Sequence, residues 1–159
     1  QLALLDHLGV ERFHVAGMCI GGPYIMGLIQ AAPQRVASAV LFQTIGLHNN
    51  RQAFFEMFDG WANDLKLKRP EVSEEAWESF KKTMYGGDFL FNVSRQFVSQ
   101  CQTPLLVLMG NDLHHPAETS REVAALAPKA TFIEHWKEPA FKPAAKKAVE
   151  EFLAQHTPR

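Results

Sequence analysis

Cys19 lies in a short glycine-rich segment, Gly17-Met18-Cys19-Ile20-Gly21, between an apolar run of strand length and a helix-like run. Small residues two positions before and two after the cysteine let strand and helix approach closely, which places the cysteine on a sharp, exposed turn. A thiol above a helix N-terminus, which favours the thiolate, is a suitable nucleophile. The backbone N–H of Ile20 is then the predicted oxyanion donor. The alternative is a cysteine packed as a small hydrophobic residue beside flexible glycines.

Asp112 is the candidate acidic partner of this cysteine. It follows the apolar run 105–109, which has the length of a buried strand. Because the carboxyl ends of parallel strands meet at one edge of a sheet, Cys19 and Asp112 are expected to share that edge. The alternative is an Asx turn that closes the strand, which Gly110 and Asn111 also favour.

Apolar runs of strand length alternate with runs of helix length along the chain. Strands are predicted over 12–18, 36–43, 105–109 and 131–134, and helices over 20–32, 116–126 and 144–155. Strands that are separated by helices and apolar on both faces indicate an α/β fold with a parallel sheet and helices on both faces.

The chain is predicted to have three parts: core strands and elbow helix (1–44), a helical lid (45–101) and the remainder of the core (102–159). The middle part holds ten of the seventeen aromatic residues, and it is much longer than a simple crossover requires. Most of these side chains are expected to form the lid's own core. Some are expected to face a cleft for an apolar substrate.

Charge and cysteine content exclude several classes of protein. Sixteen Lys and Arg against 17 Asp and Glu leave a formal charge of -1, so nucleic acid and an anionic membrane surface are not expected as partners. The uncharged run 15–33 could span a bilayer by length, but glycines and prolines interrupt it. Cys19 and Cys101 have no disulfide or zinc spacing, and they suit a reducing cytoplasm.

The sequence resembles the α/β-hydrolase fold family over most of its length. Residues 33–41 look like the family's link from the elbow helix to the next strand, and residues 104–112 look like the strand that delivers the catalytic acid. The GxCxGG form from Gly17 to Gly22 is similar to the nucleophile elbow of dienelactone hydrolases, the cysteine branch of the family. The lid and tail look more like those of the capped ester and C–C hydrolases.

The resemblance implies a triad with Cys19 as nucleophile, Asp112 as acid and His135 as base. The family places the histidine after a glycine in the turn that follows the last strand, whereas Glu134 precedes His135 here. A second alignment puts Phe141 at the histidine's place and leaves no base.

The remaining histidines are expected to have no catalytic part. His114 and His115 follow Asp112 closely, but adjacent side chains point apart, so a solvated loop is expected there and not a metal pair. The others are interpreted as structural or surface residues: His7, His14, His48 and His156.

These assignments predict a hydrolase of esters, lactones or thioesters. Its acyl-cysteine intermediate would be held by the Ile20 N–H and released by water that His135 activates, so that neither a metal nor an organic cofactor is needed. Two alternatives are a non-catalytic binding domain or fragment of the same fold, and an acyltransferase that passes the acyl group to another acceptor.

The family's amino-terminal strands, and the loop that supplies a second oxyanion donor, have no counterpart before Gln1. The strand that precedes the elbow would carry Val15, Ala16 and Met18 into a double-sided core with one unpaired edge. We therefore expect a piece of a longer protein, or pairing with a second copy or an amino-terminal partner segment, and not a stable monomer.

Overall fold

Eleven elements make up the described residues, 1–157, of the computed structural model. The helices are α1 (Leu2–His7), α2 (Gly21–Ala31), α3 (Arg51–Lys66), α4 (Glu74–Tyr85), α5 (Arg95–Gln100), α6 (Ala117–Leu126) and α7 (Lys142–His156). The strands are β1 (Phe13–Cys19), β2 (Val36–Thr44), β3 (Leu105–Leu108) and β4 (Ala130–Ile133).

The four strands form one parallel sheet in the order β1-β2-β3-β4. Each strand therefore pairs with its neighbours along the chain, and all four end at the same edge of the sheet. Helices pack on both faces, so the predicted α/β fold with a parallel, doubly covered sheet is confirmed. The shared carboxyl edge brings the turn at Cys19 and the loop after β3 to the same end of the molecule.

The sheet separates two apolar layers because successive side chains of a strand point to opposite faces. Leu41 and Leu105 belong to the layer that packs against α2 and α6. Val40 and Leu106 belong to the opposite layer, where Phe152 of α7 packs. The central strands β2 and β3 are thus buried on both sides, as their unbroken apolar runs predict.

Strand β1 is only partly buried, in contrast to the predicted double-sided core. The side chain of Met18 is 52% exposed, and Ala16 is also exposed. The reason is that, within residues 1–157, β1 pairs with β2 on one side and has no strand on the other. Its free edge lies beside an apolar groove of about 450 Å³, which is lined in part by Leu4, Val15 and Tyr24.

Helices α3 and α4 of the segment between β2 and β3 pack together on an aromatic cluster. We use that name for Phe54, Phe58, Trp77, Tyr85 and Phe91, all of which are buried. Helix α5 instead joins the main core through Val98. Among the described helices, none combines the length and the apolar character needed to cross a membrane.

Candidate functional site

The turn between β1 and α2 holds Cys19 in a left-handed backbone conformation, with φ at 60°. A non-glycine residue in this region costs about 1–3 kcal/mol, and it persists where surrounding structure fixes it. The backbone N–H of Ile45 donates to the Cys19 carbonyl oxygen at 3.2 Å, which ties the turn to the segment after β2. The strained cysteine between a strand and a helix is the geometry of a nucleophile elbow.

Two of the three elbow glycines are required by close approach. A Cβ on Gly17 would lie 3.0 Å from the Gly21 Cα, and a Cβ on Gly22 would lie 1.9 Å from the Thr44 hydroxyl oxygen. A Cβ on Gly21 would meet no atom within 4 Å. The expectation that Gly21 must be small is therefore wrong: its backbone lies against Gly17, but a side chain at Gly21 would point into open space.

Cys19 is a free, half-buried cysteine, and it packs against the buried apolar group that contains Ile45, Ala62 and the aromatic cluster. Tyr85 of that cluster interacts electrostatically with Cys19. Burial first, and then the neighbouring Cys19 and Tyr24, raise the pKa of the Tyr85 hydroxyl. The Tyr85 hydroxyl is neutral at neutral pH and can act as a hydrogen-bond donor.

A cavity of about 220 Å³ opens beside the elbow, between α2 and α4. Its walls are mostly apolar, with polar groups from Tyr24, Thr83 and Asn92. The complete lining is Ile20, Pro23, Tyr24, Ile45, Phe80, Thr83, Met84, Phe91 and Asn92. Ile20, the residue after the candidate nucleophile, therefore forms one wall of the cavity, and the aromatic cluster contributes another through Phe91.

Asp112 lies in the loop after β3 and holds the two residues that follow Leu113. Its Oδ1 accepts hydrogen bonds from the backbone N–H groups of His114 (3.1 Å) and His115 (3.0 Å), and pairs with Nδ1 of the His115 ring at 2.7 Å. Burial raises the pKa of Asp112, but the hydrogen bonds from His115 outweigh this, so the pKa lies below the ordinary value of 3.8. The carboxylate is thus ionised at neutral pH.

The sequence is similar to two curated proteins of known name. It is 48% identical over 147 residues to the dihydrolipoyllysine-residue acetyltransferase component of an acetoin cleaving system from Pseudomonas putida, covering 76% of this chain and 40% of that protein. It is 25% identical over 150 residues to carboxylesterase YbfK from Bacillus subtilis, covering 79% of this chain and 50% of that protein. The chain thus spans half or less of the length of these relatives. No family model matches the sequence.

Solved structures match nearly the whole chain. A 2-hydroxy-6-oxo-6-phenylhexa-2,4-dienoate hydrolase from Rhodococcus matches with a TM-score of 0.66 at 19% identity, covering 96% of this chain and 68% of its own. A meta-cleavage product hydrolase from Pseudomonas fluorescens matches with a TM-score of 0.64 at 16% identity, covering 98% and 70%. Est816, described as an N-acyl homoserine lactone degrading enzyme, matches with a TM-score of 0.62 at 22% identity, covering 94% and 70%.

The chain has the α/β-hydrolase fold. In this fold β1 and α2 flank the turn that holds Cys19, and Asp112 lies in the loop after β3, at the same edge of the sheet. The expected contact between that acid and His135 is not formed. His135 is exposed and stacks on Phe141, with ring centroids 5.2 Å apart, and within residues 1–157 no hydrogen bond joins it to Asp112.

The loop after β4 turns Trp136, and not His135, back over the sheet. The indole N–H of Trp136 donates to the Met109 carbonyl oxygen at 2.8 Å, and its ring contacts Phe42. This anchoring fixes the adjacent His135 on the solvent side. The histidine that does contact Asp112 is His115.

The predicted solvated loop is exposed at Asp112 and Leu113, but its two histidine side chains are not solvated. Both rings are half-buried, and their Nε2 atoms are shielded from solvent with no hydrogen-bond partner among the described residues. The His114 ring packs edge-on against Phe54 of the aromatic cluster, with centroids 5.2 Å apart. The signal that could have identified His115 is its spacing of three residues from Asp112, which lets a short loop fold the ring back onto the carboxylate.

Proposed function

We propose that Cys19 is the nucleophile of a hydrolase that cleaves esters, lactones or thioesters of small apolar acyl groups through an acyl-cysteine intermediate. The observation that carries this proposal is the left-handed backbone of Cys19 at the β1–α2 turn. The elbow presents the Cys19 side chain at the end of β1. The surrounding fold must hold the strained backbone of this residue, and backbone strain of this kind is concentrated at functional sites.

The Ile20 N–H is the proposed oxyanion donor. Ile20 is the N-cap residue of α2, and the first N–H groups of a helix have no partner within it. They can therefore donate to the oxygen of a tetrahedral intermediate formed at Cys19, where the helix dipole also favours negative charge. The similarity of the segment Gly17 to Gly22 to the cysteine elbow of dienelactone hydrolases supports the same chemistry.

The size of the cavity beside Ile20 favours a small acyl group as the substrate's acyl part. Its volume of about 220 Å³ lies below the roughly 300–1,000 Å³ of pockets that take drug-sized ligands. Phe80, Met84 and Phe91 give it an apolar wall, and apolar burial contributes about 25 cal/mol per Å² to binding. We infer a preference for short aliphatic or single-ring acyl groups over long chains.

The names of the related proteins support acyl chemistry at a carbonyl carbon. One curated relative is a carboxylesterase, and Est816 is described as degrading N-acyl homoserine lactones. The other curated relative is an acetyltransferase component, which favours acyl transfer to a thiol or amine as the second candidate function. Both reactions pass through the same acyl-cysteine, and they differ in the acceptor that resolves it.

Acylation by an activated ester tests the proposal. Purified protein is mixed with p-nitrophenyl acetate, and intact-protein mass spectrometry measures the acetyl adduct while absorbance follows turnover. We expect one adduct on Cys19, absent in Cys19→Ala and retained in the matched variant Cys101→Ala. Faster decay of the adduct with an added thiol than with water alone would identify the transferase. No adduct and no turnover in wild type would leave the non-catalytic binding domain as the function.

A further inference from the structure

The Asp112–His115 pair has the internal geometry of a catalytic acid and base. Because the Asp112 carboxylate accepts from Nδ1 at 2.7 Å, the tautomer of the neutral ring is the one with its proton on Nδ1 and its lone pair on Nε2. That Nε2 is shielded from solvent and has no partner among the described residues. An unsatisfied buried nitrogen is rare in folded proteins because it is unfavourable, so its position calls for a function.

The loop that carries this pair is fixed against the segment that leaves the elbow. The Asn50 side-chain amide donates to the Leu113 carbonyl oxygen at 2.7 Å and to the Gly46 carbonyl oxygen at 3.1 Å. One residue before Gly46, the Ile45 N–H donates to the carbonyl of Cys19. A continuous set of hydrogen bonds therefore joins the loop of Asp112 to the elbow.

The same loop borders the aromatic cluster. His114 contacts Phe54 of that cluster, and Cys19 packs against the buried apolar group in which the cluster is joined by Ile45 and Ala62. Cys19 and the loop 112–115 are thus both placed at the carboxyl edge of the sheet, each beside this apolar cluster.

We propose that His115, oriented by Asp112, is the base that serves Cys19, in place of a histidine after the last strand. This inference rests on the proposed acyl-cysteine function. His115 is preferred to His114 because only the His115 ring is held by a carboxylate among the described contacts, and a base needs one nitrogen fixed so that the other is aimed.

A single imidazole can carry out every proton transfer in the reaction cycle. His115 Nε2 takes the proton of the Cys19 thiol as sulfur attacks the acyl carbon, and it gives that proton to the departing alcohol when the ester C–O bond breaks. It then takes a proton from water as the oxygen of that water attacks the thioester, and the C–S bond breaks. The thiolate recovers the proton from His115, so the carboxylic acid and the starting enzyme are released.

Two readouts test this base, and one of them does not require turnover. We measure the steady-state rate with p-nitrophenyl acetate and the rate of Cys19 alkylation by iodoacetamide at neutral pH, in His115→Gln, His115→Ala, His114→Gln and His135→Ala. The matched control is His7→Gln, an exposed histidine that precedes β1. Near-ultraviolet circular dichroism checks that each variant keeps its fold.

We expect both His115 variants to lose about a hundredfold in turnover, the usual contribution of a positioned base. Added imidazole should restore part of the rate in His115→Ala, which a purely structural role would not allow. Cys19 alkylation should slow in the same variants and stay unchanged in His7→Gln. Turnover retained in folded His115→Gln, or a loss confined to His135→Ala or His114→Gln, overturns the proposal while leaving the acyl-cysteine in place. If the wild-type protein is never acylated but its Cys19 alkylation still depends on His115, the proposed function is contradicted and the assignment of His115 is not.

Discussion

A methyl group on Gly22 would come within 1.9 Å of the hydroxyl oxygen of Thr44, which closes the end of β2. This clash lies between a helix backbone and a fully buried strand residue, so neither partner can move freely. We predict that Gly22→Ala lowers the free energy of unfolding by about 1–3 kcal/mol, the usual cost of overpacking. Urea unfolding followed by circular dichroism measures the change.

Gly21→Ala is the matched control, because a Cβ at Gly21 meets no atom within 4 Å. It should leave stability unchanged or raise it by about 0.4–1 kcal/mol, since alanine restricts the unfolded chain. Equal losses in the two variants would show that the elbow does not depend on the Gly22–Thr44 approach.

The sequence predicts the sheet well because buried strands appear in it as continuous runs of apolar residues. The uninterrupted apolar runs of β2 and β3 identify central parallel strands. The elbow is found as well, because glycines around Cys19 are a local steric requirement. These features depend on neighbours in sequence or on periodicity, which a single sequence displays.

The partner of Asp112 could not be predicted in the same way. Which histidine reaches the carboxylate depends on how two loops fold, and loops carry no periodic signal. Trp136 anchors the loop after β4 through the Met109 carbonyl and leaves His135 outside, whereas an Asx-type turn folds His115 onto Asp112. The catalytic-acid and Asx-turn interpretations of Asp112 are compatible here, because the same oxygen that accepts the backbone N–H groups also holds the ring.

The two thiols should differ in reactivity. Burial raises the pKa of Cys101, which is 4% exposed, whereas Cys19 is half-buried at a helix N-terminus. We predict that iodoacetamide modifies Cys19 roughly tenfold or more faster than Cys101, because the thiolate is the reacting species and must reach the reagent. Peptide mass mapping over a time course gives both rates, and Cys19→Ser isolates the slow site. Faster labelling of Cys101 than of Cys19 would refute the assignment.

The stability of the Asp112 loop should depend on acid pH. The pKa of Asp112 in the folded chain lies below its ordinary value of 3.8, since the hydrogen bonds from His115 outweigh burial. A carboxyl group with a lowered folded pKa contributes stability above its unfolded pKa, and this contribution is lost as pH falls through the folded value. The melting temperature of wild type should therefore exceed that of Asp112→Asn at neutral pH, with the difference shrinking below about pH 4.

Thermal melts of both proteins in buffers from neutral to strongly acid pH measure this difference. Asp64→Asn is the matched control, because it also removes one carboxylate, at an exposed position of α3. Its difference in melting temperature from wild type should not depend on pH in this way. A gap between wild type and Asp112→Asn that stays constant into strong acid would mean that the carboxylate's ionisation does not stabilise the loop.

The free edge of β1 should make the isolated 159-residue chain associate. Because β1 is partly exposed, the N–H and C=O groups on its free edge can bind water. The strand can therefore form without a second neighbour, and its edge remains available for pairing. The apolar groove beside it adds exposed side chains, including Leu4 at 60% and Tyr24 at 61% exposure. We predict that a second copy, or an amino-terminal segment of a longer protein, pairs with β1 and covers this groove.

Light scattering coupled to size-exclusion chromatography, over a wide range of protein concentration, tests this association. Leu4→Glu should shift the chain toward monomer by placing a charge in the groove, whereas Leu67→Glu, at a leucine of the insertion that is 86% exposed, should not. Hydrogen exchange at residues 13–18 should slow as the concentration rises, because pairing protects the edge amides. A chain that stays monomeric at every concentration, with those amides already protected, would show that β1 needs no partner.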